Sequence, residues 1–180
     1  MTATALTARE FRNALGQFAT GVTVVTVERE PGSVFGMTAN AFTSVSLNPM
    51  LILVCVDERA KILPLLHKGK RFGVSVLKQG QQALSEYFAQ AEQNSEAEHR
   101  LGLHYRWTSE GVPALEDSVV QLGCSVVSSH VAGDHRTANS GFCISSRSHA
   151  KRSSRALTNC ANSSALHTNV ITGVGTRLSG

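Results

Sequence analysis

Short runs of apolar residues, separated by residues typical of turns, dominate the first 135 residues of the chain. Residues 22–27 are all β-branched and predict a strand. Residues 30–33 (EPGS) supply turn chemistry. We therefore expect a hairpin over residues 22–39, with residues 34–41 as its returning strand.

Three later runs also predict strands. Residues 50–56 are continuously apolar, which is typical of a strand buried on both faces rather than of an edge strand, and residues 48–49 (Asn-Pro) break the chain before them. Residues 71–77 predict another strand. Residues 119–131 alternate well enough for one long strand or a bent pair, and we expect residues 112–113 (Val-Pro) to open a turn.

Helical patterns are short and few. Residues 7–18 begin with a capping-box pattern at Thr7 and predict a helix that ends before Gly21. Its apolar residues recur at helical spacing, at Phe11, Leu15 and Phe18. This spacing predicts one apolar face that packs against a core.

Two further segments favour helix and one favours loop. Residues 60–67 predict a short helical segment, which Pro64 limits to about a turn on either side. Residues 79–90 predict a second helix with Leu84, Tyr87 and Phe88 on one face. Residues 93–100 are polar, and we expect them to form a mobile loop.

Consecutive strands joined by turns, with only short helices, favour a mainly β fold with a closed antiparallel sheet over βαβ units. The length suits one domain, and no apolar run approaches the roughly 18 to 20 residues that cross a bilayer. The first residues lack the pattern of a secretory signal, so we expect a cytoplasmic protein with no membrane partner.

The basic character of the chain is confined to its last quarter. Residues 1–135 hold 11 basic and 13 acidic side chains, whereas residues 136–180 hold 6 basic and no acidic ones. Because the basic part is rich in Ser and Asn and contains only Phe142 for stacking on bases, nucleic-acid binding is disfavoured. The histidines are scattered and no Cys-x-x-Cys pair occurs, so we expect no metal site.

The segment that most suggests chemistry is GMTANAFTSVSLNP, residues 36–49. Its small and hydroxyl-bearing residues would let backbone N–H groups and short hydroxyls come close to a flat, polar, anionic ligand. The same composition also suits an ordinary Thr- and Ser-rich strand and turn. Composition alone leaves both interpretations open.

Four segments in order resemble one family. They are FRNALGQFATGVTV (residues 11–24), the GMTANAFTSVSLNP segment, LVCVD (residues 53–57) and GDH (residues 133–135). Together they resemble the flavin reductase family, which includes the small component of two-component flavin-dependent monooxygenases such as phenol and 4-hydroxyphenylacetate hydroxylases. The resemblance covers roughly residues 10–135.

The resemblance implies a homodimeric, FMN-binding split β-barrel with a Greek-key core and short flanking helices. It also implies an NAD(P)H:flavin oxidoreductase, in which NADH or NADPH reduces FAD or FMN by hydride transfer. The reduced flavin would then pass to a partner monooxygenase acting on an aromatic compound. Because the cofactors carry the reactive atoms, no catalytic nucleophile or metal is expected from the protein.

Residue by residue, the resemblance implies a set of cofactor contacts. The isoalloxazine and ribityl chain would be lined by Gly36, Met37, Thr38, Ala39, Asn40, Ala41, Phe42 and Ser44. The flavin phosphates would meet Arg59, Ala60 and Lys61, whose cationic groups suit phosphate oxygens. His135 would lie by the nicotinamide. Cys55 is included among the cofactor contacts, although simple core packing also explains it.

The resemblance ends abruptly after His135. We therefore divide the chain into a reductase-like domain, residues 1–135, and an atypical tail, residues 136–180, in which we expect little regular structure. The change of composition resembles translation in a wrong reading frame, a hypothesis that would leave the barrel without a strand. An alternative function is thus a flavin-binding split-barrel protein that has lost the nicotinamide side and does not turn over.

Overall fold

A computed structural model describes residues 6–143 of the 180-residue chain, and for residues 139–143 only the backbone. Its strands are β1 (Thr23–Glu30), β2 (Ser33–Ala39), β3 (Phe42–Leu47), β4 (Met50–Asp57), β5 (Arg71–Val76), β6 (Tyr105–Trp107), β7 (Pro113–Leu115), β8 (Val120–Ala132) and β9 (His135–Cys143). The helices are α1 (Ala8–Leu15), α2 (Gln82–Phe88) and α3 (Ser95–Arg100), with a 3-10 turn over Leu63–Leu65.

Seven of these strands form one antiparallel sheet in the order β2-β1-β5-β8-β9-β4-β3. The two ends of this order, β2 and β3, are parts of one run of chain separated only by Asn40 and Ala41. The run therefore pairs with β1 along its first half and with β4 along its second. Because it joins both edges, the sheet curls into a barrel, and the mainly β, antiparallel prediction is confirmed.

Apolar side chains form two separate clusters. The larger fills the barrel, with residues such as Val25, Val54 and Phe72 almost wholly buried. The smaller lies outside the barrel wall, where Val24 of β1 packs against Phe88 of α2. Because successive side chains of a strand point to opposite faces, β1 contributes to both clusters. The barrel thus carries an outer layer on one side.

The outer layer is fastened by hydroxyl groups on the barrel wall. Thr26 of β1 donates to the Pro113 carbonyl oxygen at 2.5 Å, and Ser75 of β5 accepts from the Leu115 backbone N–H at 2.9 Å. These contacts hold β7 flat against the sheet, where it pairs with β6. Residues 112–113 therefore lead into a short strand, and the predicted turn is wrong at Pro113 because tertiary hydrogen bonds extend the chain there.

The predicted strands over residues 22–27, 71–77 and 119–131 are confirmed as β1, β5 and β8, and β8 is one long strand with a bulge. The strand over residues 50–56 is β4, and it is internal to the sheet as predicted. The prediction that both faces of β4 are buried is wrong within one copy of the chain. Alternate residues of β4 are only half-buried, because the outward face has no layer of its own.

The first helix begins as predicted but packs differently. Thr7 and Glu10 form the capping box, in which the Thr7 N–H donates to the Glu10 carboxylate at 2.9 Å. No residue of α1 is buried, and Phe18 just beyond it is 74% exposed. The expectation that this apolar face contacts a core is therefore wrong within one copy of the chain.

Two other helical predictions are confirmed. The segment around Pro64 forms the 3-10 turn, with proline in its first positions. The helix predicted over residues 79–90 is α2, and it buries Tyr87 and Phe88. The mobile loop expected over residues 93–100 is wrong, because Asn94 caps a helix there by accepting from the Ala97 backbone N–H at 2.9 Å.

The largest departure from the sequence-based expectation follows His135. Residues 135–143 form β9, which pairs with β4 on one side and β8 on the other, so the expectation of little regular structure is wrong there. Backbone hydrogen bonds hold this strand, and they do not depend on the unusual side chains. Residues 144–180 lie outside the described residues, so the reading-frame hypothesis stays a prediction.

Among residues 6–143, no helix is long and apolar enough to cross a membrane.

Replacing Gly73 with alanine should destabilise the fold. A Cβ at Gly73 would overlap the Pro113 carbonyl and crowd the Thr26 hydroxyl, so β7 would have to shift outward. We expect Gly73→Ala to lower the free energy of unfolding by about 1–3 kcal/mol, measured by urea denaturation. At Gly21 a Cβ meets nothing within 4 Å, so Gly21→Ala is the matched control. Equal midpoints for the two variants would contradict this packing.

Candidate functional site

The corner between β2 and β3 brings the GMTANAFTSVSLNP segment beside β4. The Phe42 N–H donates to the Asn40 carbonyl oxygen at 2.8 Å, which tightens the corner. The Cys55 N–H donates to the Ala41 carbonyl oxygen at 3.0 Å, which ties the corner to β4. Asn40 is half-buried and Ala41 is exposed, so this corner is open to a ligand.

At the end of β4, a buried carboxylate orients an exposed guanidinium. Asp57 accepts from Arg59 Nε at 3.0 Å, from Arg59 Nη2 at 2.8 Å and from the Arg59 backbone N–H at 2.8 Å. The side chain of Asp57 is 2% exposed, whereas that of Arg59 is 65% exposed. These hydrogen bonds lower the pKa of Asp57. A guanidinium has five N–H donors, so Arg59 keeps donors for an anion.

His135 lies next to this pair across the sheet. It is the cross-strand partner of Asp57, and its charge when protonated also lowers the pKa of Asp57. The Nδ1 atom of His135 lies 2.7 Å from the Asp134 carboxylate, which fixes the orientation of the ring and lowers the pKa of Asp134. Asp57, Arg59 and His135 therefore form one polar group where β4 and β9 meet.

A cavity of about 200 Å³ lies beside this polar group. It is lined by Phe35, Gly36, Met37, Arg59, Ala60, Lys61, Ile62, Phe88, Gln90 and Ala91. Five residues predicted to bind the cofactor thus come together here, three from the phosphate set and two from the start of the flavin segment. Two cationic side chains, Arg59 and Lys61, at a cavity that Gly36 also lines suit the phosphate of a flavin nucleotide.

The other predicted contacts do not line this cavity. Thr38 is buried, and its hydroxyl donates to the Ser85 carbonyl oxygen at 2.6 Å, so it serves the packing of α2. Ala39 belongs to the barrel core, and Phe42 packs against that core. Ser44 is exposed on β3.

Cys55 faces outward from β4, next to the corner. It is a half-buried free cysteine, and burial raises the pKa of its thiol. Its cross-strand neighbour on β9 is Thr137. The side chain therefore lies on the outer face of β4 rather than in the barrel core, so simple core packing does not describe it, and its contact with a cofactor stays a prediction.

Sequence reasoning did not select some residues of this site. Asp57 is the last residue of the LVCVD segment, but the sequence alone assigned it no function. An aspartate at the end of a strand is nevertheless a recognisable signal for a local turn, because its side chain can accept from the backbone N–H two residues later. Phe88 and Gln90 reach the cavity through the packing of α2, which no local pattern reveals. In the described part of the chain, no three His, Cys, Asp or Glu side chains come together to hold a metal ion.

Replacing Asp57 with asparagine should destabilise the protein at neutral pH by about 1 kcal/mol, since charge-assisted hydrogen bonds are lost but Arg59 is largely exposed. The pKa of Asp57 is lowered from 3.8. Its stabilising contribution is therefore complete above that value and disappears as the pH falls through the lowered one.

The test is urea denaturation followed through Trp107, the single tryptophan. The difference in midpoint between wild type and Asp57→Asn should be clear at about pH 7 and shrink toward about pH 3. Asp117→Asn, at a largely exposed ion pair with Lys78, is the control and should show little change at either pH. A difference that grows on acidification would contradict this role of Asp57.

Comparison with known proteins agrees with this geometry. Residues 15–138 match the family described as flavin reductase like domain. An NADH-dependent flavin reductase of Rhodococcus sp is 44% identical over 132 residues, which is 72% of each chain. The reductase component of 4-hydroxyphenylacetate 3-monooxygenase from Thermus thermophilus is 40% identical over 131 residues, covering 70% of this chain and 76% of that protein.

Solved structures give the same result. The NADH:FAD oxidoreductase SgcE6 of Streptomyces globisporus, in complex with NAD and FAD fragments, superposes with a TM-score of 0.74 at 30% identity, covering 89% of this chain and 94% of that one. The styrene monooxygenase flavin reductase of Pseudomonas putida superposes with a TM-score of 0.75 at 30% identity, covering 85% and 94%. The split-barrel prediction is thereby confirmed, and the chain belongs to the flavin reductase family.

Proposed function

We propose that this chain oxidises NADH, reduces FAD or FMN, and supplies the reduced flavin to a flavin-dependent monooxygenase. The observation that carries the proposal is the pair Arg59 and Lys61 at a cavity walled by Gly36, within a chain of this family. Relatives named as NADH-dependent flavin reductases and as a monooxygenase reductase component support it. Because NADH is the reductant, we place the reaction in the cytoplasm.

The residues present fit a flavin nucleotide. The cavity is large enough for part of it, and a Cβ at Gly36 would overlap the Phe88 ring, so glycine lets this ring pack closely on β2 at the edge of the cavity. A bound flavin supplies the hydride-accepting ring, and a nicotinamide supplies the hydride. The chain's own task is to hold the two rings in contact and to stabilise negative charge.

Each part of the site then has a role in binding. Arg59, oriented by Asp57, and Lys61 hold the phosphate. The corner at Asn40 and Ala41 receives the ribityl chain and ring, and Cys55 lies beneath that corner. His135, held by Asp134, lies by the nicotinamide. No side chain is required to form a covalent bond.

Anaerobic mixing of the protein with flavin and NADH tests the function. We expect the visible absorbance of the flavin to bleach and NADH to be consumed in equal amount, because one hydride reduces one flavin. Flavin that binds but keeps its absorbance would indicate the alternative, a flavin-binding protein without turnover. Running FAD and FMN, each with NADH and with NADPH, identifies the preferred pair.

The position of the flavin at the corner is tested by placing a bulky residue there. Asn40 is half-buried, unlike the fully buried Thr38, so Asn40→Trp should weaken flavin binding about tenfold or more without unfolding the chain. Gln82→Trp, on the exposed side of α2, is the control. Unchanged flavin affinity in a folded Asn40→Trp variant would contradict the proposal that the flavin binds at this corner.

We also propose that two copies of the chain associate. The tip of the β3–β4 hairpin exposes Val45, Leu47 and Met50, and Leu47 is 89% exposed. The outward face of β4 and the apolar face of α1 lack a covering layer in one copy. Apolar surface of this kind is typical of a protein–protein interface.

The assembly proposal is tested at Leu47. We expect wild type to have the mass of a dimer by light scattering and Leu47→Glu to shift toward monomer by at least about tenfold in dissociation constant, because a charge would be buried. Trp107→Glu, at another exposed apolar residue on β6, is the control. A monomeric wild type would refute the proposal, and a dimer unaffected by Leu47→Glu would move the interface elsewhere.

A further inference from the structure

The peptide of Gly36 is bound by a side chain rather than by a neighbouring strand. Strand β2 is at one end of the sheet order, so alternate peptide groups on its outer edge have no strand partner. The Gly36 N–H donates to Gln93 Oε1 at 3.1 Å, and Gln93 Nε2 donates to the Gly36 carbonyl oxygen at 2.6 Å. The Gln93 amide thus makes the two hydrogen bonds that a residue of a neighbouring strand would otherwise make with Gly36.

The segment that carries Gln93 is itself fixed in place. Next to it, the Asn94 backbone N–H donates to the Tyr87 hydroxyl at 3.1 Å. That hydroxyl also lies 3.2 Å from the Glu98 carboxylate of α3. Asn94 in turn caps α3. The chain between α2 and α3 is therefore held at two adjacent residues, once to β2 through Gln93 and once to the helices through Tyr87.

Gln93 joins opposite walls of the candidate flavin cavity. Gly36 lies on the β2 wall, and Gln90 and Ala91, three and two residues before Gln93, lie on the other. Gln93 itself lines a neighbouring cavity of about 580 Å³ that shares Phe35, Lys61 and Ala91 with the first. The two hydrogen bonds of its amide to Gly36 thus set the distance between the sheet edge and the segment after α2.

Position 36 is restricted to glycine by the outer layer. The Phe88 ring occupies the place of a Cβ at Gly36, so no side chain at this position can hold the edge. We propose that Gln93 is a positioning residue, which keeps the walls of the flavin cavity at the spacing that flavin binding requires. This inference rests on the proposed function, because the cavity matters only if it holds a flavin.

The test compares three variants with wild type, using whichever of FAD and FMN the wild-type chain reduces faster. Gln93→Met keeps the length of the side chain and removes both hydrogen bonds to Gly36, together with the long 3.4 Å hydrogen bond that Gln93 Nε2 donates to the Gln90 carbonyl oxygen. Gln93→Glu keeps the acceptor for the Gly36 N–H but places a carboxylate oxygen against the Gly36 carbonyl. Gln82→Met is the control, since the Gln82 amide contacts only Glu86 on the exposed side of α2.

We expect Gln93→Met to weaken flavin binding about tenfold, because losing hydrogen bonds worth about 1 kcal/mol each lowers the fraction of molecules with the binding-competent spacing, while the KM for NADH and kcat at saturating flavin change less than about twofold. Gln93→Glu should bind as weakly at neutral pH and recover affinity on acidification, because a protonated carboxyl again donates to the Gly36 carbonyl. Gln93→Met should show no such recovery. Flavin affinity is measured by fluorescence quenching, and thermal midpoints identify any variant that unfolds.

Three outcomes would overturn the inference. Flavin affinity of Gln93→Met equal to that of Gln82→Met would show that the bridge does not set the cavity. A fall in kcat with unchanged flavin affinity would assign Gln93 a different role. If Gln93→Glu did not regain flavin affinity in acid, the hydrogen bond to the Gly36 carbonyl would not be the cause of the lost affinity. A wild-type chain that binds no flavin would instead refute the proposed function, and the inference with it.

Discussion

The bend at Asn40 and Ala41 is the constraint on which the rest of the structure depends. One run of chain must pair with β1 before the bend and with β4 after it, and this double pairing closes the barrel. The bend also produces the site, because it exposes backbone beside the end of β4. A large side chain at the corner would fill the space in front of the bend, where we place the flavin. Short side chains at the corner therefore suit both the closure of the barrel and the flavin site that we propose.

The site lies where two differently built parts of the molecule meet. The barrel supplies the Asp57–Arg59 pair and His135, which are fixed by β4 and β9. The outer layer supplies Phe88 and the segment that carries Gln93. Charge is concentrated on the barrel side, where a buried carboxylate orients an exposed cation. Shape is determined on the other side, where an aromatic ring and an amide hold the edge of β2.

Much of this arrangement follows from local patterns in the sequence. The β-branched run of β1 and the capping box at Thr7 predict their elements because the stabilising contacts are local. Helix α3 was missed because five of its six residues are polar and Ala97 alone gives no apolar period, and Asn94 and Tyr87 hold it through neighbouring segments. Strand β9 was missed because backbone pairing on both sides replaces side-chain preference. Gln93 could not be predicted, since its partner Gly36 lies 57 residues away.

The separation of the apolar residues into two clusters has a consequence for the release of reduced flavin from its cavity. Proteins open locally in units that share contacts, and the units with fewer buried contacts open at lower free energy. We therefore expect the smaller cluster to loosen while the barrel stays intact, which would move Phe88 and Gln93 away from Arg59 and Lys61. Release of reduced flavin would then require only local opening of the outer layer. The cationic residues on the barrel side would keep their positions for the next flavin.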